Sequence, residues 1–299
     1  MAAELYYTPG TYSSQTTGTF SFWIKRGKLN NEGSTVVWSN TYTNDNNRTY
    51  ISFEANNKIR VSVQYSGNAD DNLTNAQFAD TLCWYHVVIR LDSTQGTAAN
   101  RCLIWVNGQQ QSMSSNAGSP SGNITAFQTS LSNQHYWGGI YNSTSGLDNA
   151  YLTQCVYCDG QTYSASNFGE TDATTGEWKP KTDLSGLTFG NNGYWLKFEN
   201  SANIGLDSSG NSNNFTNNNN EVLQVSDNPS NVFATLNPLV NNAGEMMLLT
   251  NGNTSCQSNA AQGNSWKLAV STLGMTSGKY YMEIKWVGGS HFILLGNKI

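Results

Sequence analysis

The chain has 299 residues, enough for one large domain and part of a second. Only 12% of them are charged, the formal net charge is −5 and no basic run is present, which argues against nucleic acid as a partner. Nine Trp, fifteen Tyr and eleven Phe exclude a disordered chain, and no apolar run approaches the roughly 20 residues of a membrane span.

The first residues, 1–5, have neither the basic start nor the apolar core of a secretion signal, so synthesis in the cytoplasm without a signal peptide is expected. The first clear strand spans 19–26, with Phe20, Phe22 and Ile24 on one face and Ser21, Trp23 and Lys25 on the other. Residues 36–38 are a short apolar run, and 49–55 alternate around Tyr50, Ser52 and Glu54. Asn56 and Asn57 are expected to turn the chain, because Asn tolerates positive φ. Residues 58–65 then return with Ile59, Val61, Val63 and Tyr65 inward, and 66–75 read as a polar loop. Strands follow at 83–91, with Tyr85, Val87, Ile89 and Leu91 on one face, and at 101–106. The turn pair Asn107 and Gly108 sends the chain back through 109–113.

After a Ser/Gly/Pro loop at 114–125, residues 136–141 form a compact strand in which Gly138 and Gly139 admit a close neighbour. A strand at 150–157 leads to a turn at Asp159 and Gly160, and Ser164 or Ser166 could cap one helical turn. Residues 170–187 read as loop, pinned by Trp178 and Pro180. A strand at 194–199 closes this body, with Tyr194, Leu196 and Phe198 alternating against Trp195, Lys197 and Glu199. An Asn-rich connector follows, punctuated by Pro229 and Pro238. Further strands are expected at 246–249, 266–270 and 279–287, the last with Tyr280, Met282, Ile284 and Trp286 on one face. No sustained 3.6-residue period appears, so the chain is all-β.

Three stretches resemble known families. Trp84, His86 and Val87, followed by Ile104, Val106, Asn107 and Gly108, look like the "W-x-H-V … I-x-V-N-G" pair of laminin-G-like, concanavalin-type jelly rolls, and Phe20 to Ile24 match that family's early core strand. The resemblance covers roughly residues 19–200 and implies an antiparallel jelly-roll β-sandwich. Gly205, Asp207, Ser208, Ser209, Gly210, Asn211, Asn213 and Phe215, with Asp227, Pro229, Asn231 and the run 233–239, are similar to a segment common in structural proteins of tailed phages, notably marine ones. Residues 278–284 resemble the opening of a SPRY-like sandwich, of which only about the first third is present. The expected organisation is a laminin-G-like sandwich at 1–200, an Asn-rich linker at 201–240 and a partial SPRY-like segment at 241–299.

Candidate chemistry is sparse. Cys155 and Cys158 lie on one strand and point to opposite faces, so they read as packing cysteines, with zinc or redox chemistry as the alternatives. Glycosidases on this jelly roll carry convergent carboxylates on one strand. The nearest match, Glu170 and Asp172 with Glu177 displaced, lies in loop-like sequence, and we assign no catalytic residue there. His86, His135 and His291 have no Ser or Cys partner in a nucleophile motif, and His86 reads as a packing residue. Asp70, Asp71 and Asp148 could supply oxygen ligands to Ca²⁺, the one cofactor considered. A sugar platform needs aromatics beside amides and acids, and Trp38, Tyr42, Tyr65, Trp137, Tyr141 and Trp178 are the candidates.

The resemblances imply a non-enzymatic virion protein, a tail-fibre, appendage or capsid-surface module acting in assembly and host-glycan recognition. Its partners would be other virion proteins and copies of itself, as a trimer, with no nucleic acid and no membrane insertion. The alternative is a free lectin-like protein or a glycan hydrolase.

Overall fold

The computed structural model describes residues 4–29, 35–41, 48–65, 68–116, 134–139, 146–147, 150–230, 234–240, 247–258, 268–274, 277–279, 281–285 and 287–288. Its strands in chain order are β1 (Leu5–Tyr7), β2 (Thr17–Arg26), β3 (Thr35–Thr41), β4 (Arg48–Phe53), β5 (Ile59–Tyr65), β6 (Asn68–Thr74), β7 (Trp84–Asp92), β8 (Cys102–Val106) and β9 (Gln109–Gln110). Then come β10 (Met113–Asn116), β11 (Gln134–Trp137), β12 (Ala150–Asp159), β13 (Gly169–Thr171), β14 (Trp178–Pro180), β15 (Tyr194–Leu196), β16 (Thr216–Asn217), β17 (Met247–Thr250) and β18 (Ser255–Ser258). An eight-stranded sheet, in the order β10-β6-β5-β4-β3-β11-β1-β16, faces a six-stranded sheet, in the order β15-β12-β2-β7-β8-β9. The result is the expected all-β antiparallel sandwich.

Period-2 alternation builds the core. On the six-stranded sheet Phe20, Phe22 and Ile24 of β2 lie in register with Ile89, Val87 and Tyr85 of β7, and Ile104 and Val106 of β8 extend the layer. From the opposite sheet come Trp38, Ile51, Phe53, Ile59, Val61 and Val63. The layers meet where the Phe20 ring packs 4.3 Å from Trp38 and stacks on Tyr157 at 4.7 Å. Each such apolar side chain stabilises the fold by roughly 1.5–3 kcal/mol. The turn at Asn57 has φ 62, as its residue type allows. Cys155 packs between the sheets and Cys158 on the outer side of β12, so the two thiols are separated by the sheet.

Several elements differ from the sequence reading. Residues 66–75, expected as loop, contain β6, which has no apolar alternation and is held by its pairing to β5 and β10. Residues 170–187 contain the β13–β14 hairpin, whose Trp178 packs over the outer face of β7. The described residues of 279–287 and of 266–270 form no strand.

The expected linker at 201–240 is in its first half part of the sandwich. Asp207 works as a clasp: its carboxylate accepts the backbone N–H groups of Trp195, Ser209 and Asn213 at 2.8–2.9 Å and the Ser209 hydroxyl at 2.8 Å. Asn211 donates to the carbonyls of Gly190 (2.6 Å) and Gly193 (2.8 Å), and Asn213 to those of Asn191 and Gly193 at 2.9 Å. A Cβ at Gly205 would collide with the Phe215 carbonyl, so only glycine lets the two backbones meet there. Phe215 enters the core against Tyr194, at 4.7 Å, and β16 pairs with β1. Farther on, Asp227 forms a buried ion pair with Lys25 (2.9 Å; side chains 5% and 2% exposed) on the outer face of β2. Asn253 donates to the Gly27 carbonyl at 2.8 Å, and the Tyr151 hydroxyl donates to Gly252 O. A polar, turn-rich segment can be ordered in this way because its side chains meet backbone groups of the sandwich that would otherwise be unpaired.

Candidate functional site: the outer face of the eight-stranded sheet

Where Ile51 and Phe53 of β4 and Ile59, Val61 and Val63 of β5 point into the core, the alternate residues Arg48, Tyr50, Ser52, Arg60, Ser62 and Gln64 point outward. The pairing registers join them into one cross-strand row: Asp71, Ser62, Tyr50, Ser39, Tyr136, Tyr6 and Thr216 lie opposite one another from β6 to β16. From Asp71 to Tyr6 the row crosses five strand steps, roughly 24 Å at about 4.8 Å per strand. Serines alternate with tyrosines over Ser62, Tyr50, Ser39 and Tyr136. Ser39, Ser52, Ser62, Tyr50 and Tyr136 form a buried floor; Tyr6, Arg48, Arg60, Gln64, Asp71 and Gln134 are half-buried and form the rim.

The rim is hydrogen-bonded into fixed positions. Arg48 Nε donates to Gln64 at 2.6 Å, and Arg60 donates to Asp71 at 2.6 Å with Glu54 at 3.7 Å. Both guanidinium groups lie 5.2 Å from the Tyr50 ring centre. Burial pushes the Arg60 pKa down, but Asp71, Tyr50 and Glu54 together more than reverse this, so it is raised. Tyr136 donates to Gln134, and its ring lies 6.1 Å from Tyr6. The Ser62 hydroxyl is buried within the row and has no hydrogen-bond partner among the described residues. The accessible part is the half-buried rim, where Tyr6, Arg48, Arg60, Gln64 and Gln134 supply one aromatic surface with donors and acceptors around it, a set that suits a polyhydroxylated ligand.

The three described aromatics of the expected sugar platform, Trp38, Trp137 and Trp178, do not come together on an open face. Trp38 and Trp137 are 0% and 1% exposed, and both indole N–H groups point inward to Tyr194 Oη at 3.0 and 3.2 Å. A bulge between Val36 and Trp38 breaks the alternation and turns Trp38 into the core. Trp178 donates to His86 Nδ1 at 2.9 Å, leaving His86 Nε2 to donate to Ser21 at 2.8 Å, while Trp23 stacks on the imidazole at 4.7 Å. These groups pack the opposite side of the sandwich. Tyr42, Tyr141, Asp148, His291 and the Tyr65 side chain lie outside the described residues.

Of the calcium candidates, the two described ones, Asp70 and Asp71, point to opposite faces of β6. Asp71 pairs outward with Arg60, whereas Asp70 lies opposite the inward-facing Val63, and burial followed by the Asp71 charge raises its pKa. Among the described residues no cluster of three metal-ligating side chains occurs. Nor do the carboxylates form a glycosidase pair. Glu170 and Asp172 share Lys179 at 3.8 and 2.9 Å on the β13–β14 hairpin, and the Lys179 contact, then the N–H groups of Thr175 and Thr174, hold Asp172 well below the usual range. On the outer face Arg60 fills the gap between Glu54 and Asp71, where a catalytic pair needs room for substrate. The row itself was readable in part from sequence: Arg48, Tyr50, Ser52 and Glu54 alternate, as do Arg60, Ser62 and Gln64.

Residues 5–150 match the family described as the concanavalin A-like lectin/glucanases superfamily, in its laminin-G branch. No curated protein matches the chain. Among solved structures, a putative carbohydrate binding protein from Bacteroides ovatus is 14% identical over 73% of this chain and 58% of that one, with a TM-score of 0.45. Domains LG4-5 of the mouse laminin alpha1 chain are 11% identical over 54% and 40%, with a TM-score of 0.40. A SAP-like pentraxin from Limulus polyphemus is 14% identical over 54% and 78%, with a TM-score of 0.34. Residues 5–150, which supply β1 to β11, are thus similar to that family over just under half of the chain, and the fold is a laminin-G-like, concanavalin-type sandwich.

Proposed function

We propose that the chain is a non-catalytic glycan-binding module of a tailed-phage virion, in a tail appendage or on the capsid surface, and that it assembles as a homo-oligomer, as a trimer. The observation that carries the glycan reading is the hydrogen-bonded rim of the Asp71-to-Tyr6 row, with Tyr6 as its accessible ring. A superfamily named for lectins and glucanases supports it. The virion part rests on the likeness of residues 205–239 to tailed-phage structural proteins, and the SPRY-like start at 278–284 stands beside it as a resemblance.

The test is binding of the purified full chain to a panel of host-surface polysaccharides, with wild type compared against Tyr6→Ala and Arg60→Ala. Both variants should lose retention while keeping the melting temperature within a few degrees. Equal retention by the variants, or turnover of any polysaccharide by wild type, overturns the reading. Mass spectrometry of purified virions tests the assembly part.

A further inference from the structure

A cleft of about 350 Å³ opens beside β15, at the edge of the six-stranded sheet and away from the row described above. That volume is at the lower end of the range of small-molecule sites. Its apolar surface comes from Phe198, Ile204 and Leu206, and Lys197, Glu199 and Asn203 stand around it.

Two features separate it from an ordinary surface loop. Phe198 has φ 60, a left-handed conformation that a bulky side chain adopts only when its surroundings impose it. Its ring packs on the core and its carbonyl accepts from Gln224 Nε2 at 2.7 Å. The adjoining wall is fixed by a second left-handed residue: Gln154 (φ 50), at the bulge in β12, accepts the Trp195 indole N–H at 2.5 Å, and Lys197 Nζ sits 4.1 Å from the Trp195 ring centre. Among the lining residues Lys197 is the one cation and Glu199 the one carboxylate. Asp183, held below the usual range chiefly by the Ser185 N–H, also feels the Lys197 charge.

We propose that this cleft is a second ligand site, one that takes a neutral saccharide ring. The C–H face of the ring would lie on Phe198, Ile204 and Leu206, and its hydroxyls would meet Lys197, Glu199 and Asn203. A phosphate or sulfate would meet one cation and one like-charged carboxylate, and a wholly apolar ligand would strip water from the polar rim without replacing its hydrogen bonds. The inference does not depend on the outer-face reading.

Amide chemical shifts of the ¹⁵N-labelled full chain provide the test. The probes are methyl glycosides of glucose, galactose and mannose, and N-acetylglucosamine, with N-acetylneuraminate and inorganic phosphate as anionic comparisons. At least one neutral sugar should shift amides within 197–208. Leu206→Asp and Glu199→Ala, both at exposed positions, should weaken that response several-fold to about tenfold with the rest of the spectrum unchanged. Absence of shifts at 197–208 with every neutral sugar, stronger shifts with phosphate, or responses untouched by both substitutions would overturn the proposal. Shifts at 48–64 report the outer face separately, so either site can fail alone.

Discussion

Acidification should unfold this protein through two histidines buried in their neutral form. His86 and His135 are both essentially inaccessible, and burial lowers the pKa of each to about 3. Geometry gives the same answer at His86: Nδ1 accepts from Trp178, so a proton there would set two donors against each other. His135 Nε2 meets the Tyr12 hydroxyl at 2.8 Å within a cage of Tyr7, Trp38, Tyr157 and Tyr194. In the unfolded chain both rings titrate near 6.5. Between about pH 6.5 and 3 the unfolded state therefore binds more protons, and stability is complete above that window and falls as pH drops through it. At pH 5 each ring costs about 1.5 × 1.36, or about 2 kcal/mol, so the pair costs about 4 kcal/mol. That is a large share of a typical domain's roughly 5–15 kcal/mol. Urea unfolding followed by Trp fluorescence between pH 7.5 and 5 measures the loss directly. A double variant, His86→Gln with His135→Gln, is less stable at pH 7.5 but should show a much flatter profile. An unchanged wild-type midpoint from pH 7.5 to 5, or an equally steep double variant, would refute the argument.

Removing one partner of the buried Lys25–Asp227 pair should be costly: Asp227→Ala is expected to lose about 3–5 kcal/mol in urea melts, whereas Lys25→Met with Asp227→Leu should stay near wild type. Asp207→Ala should lower stability by about 1–3 kcal/mol for each buried N–H left unpaired, beginning with that of Trp195, and thermal melts would show it. A chain ending at residue 200 lacks Ile204, Phe215 and β16; it should unfold non-cooperatively or precipitate, and a cooperative melt like that of the full chain would contradict the placement of those residues in the sandwich. Trp38→Phe should weaken the core but leave polysaccharide retention intact once the protein is folded, since its indole points to Tyr194.

The sandwich was legible in sequence wherever a strand keeps one apolar face, as in β2, β7 and β8. β6 was not, because Asn68–Thr74 owes its conformation to β5 and carries little preference of its own. The tyrosine–serine row was half visible. Alternation identifies Tyr50 and Ser62 as sharing a face, but only the strand order brings Tyr6 and Tyr136 alongside them. Trp38 was misassigned for a local reason, the bulge that places both Val37 and Trp38 in the core. Asp207, Asn211 and Asn213 stood out as a motif, yet their role depends on carbonyls of the 190–193 turn, whose proximity no local pattern reveals.

The pairing of β16 with β1 sets an order of events during synthesis. Leu5 meets Asn217, and the Tyr7 hydroxyl lies 2.7 Å from Asn213, 206 positions away along the chain. A ribosome adding about 5–20 residues per second reaches β16 roughly 10–40 s after β1. Once β11 has been made and has paired with β1, and until β16 follows, the β1 side of the eight-stranded sheet is an open edge, able to pair with the same edge of another nascent chain. Yield on expression should therefore depend on how closely neighbouring ribosomes are spaced on the message, and slower initiation should favour the soluble protein.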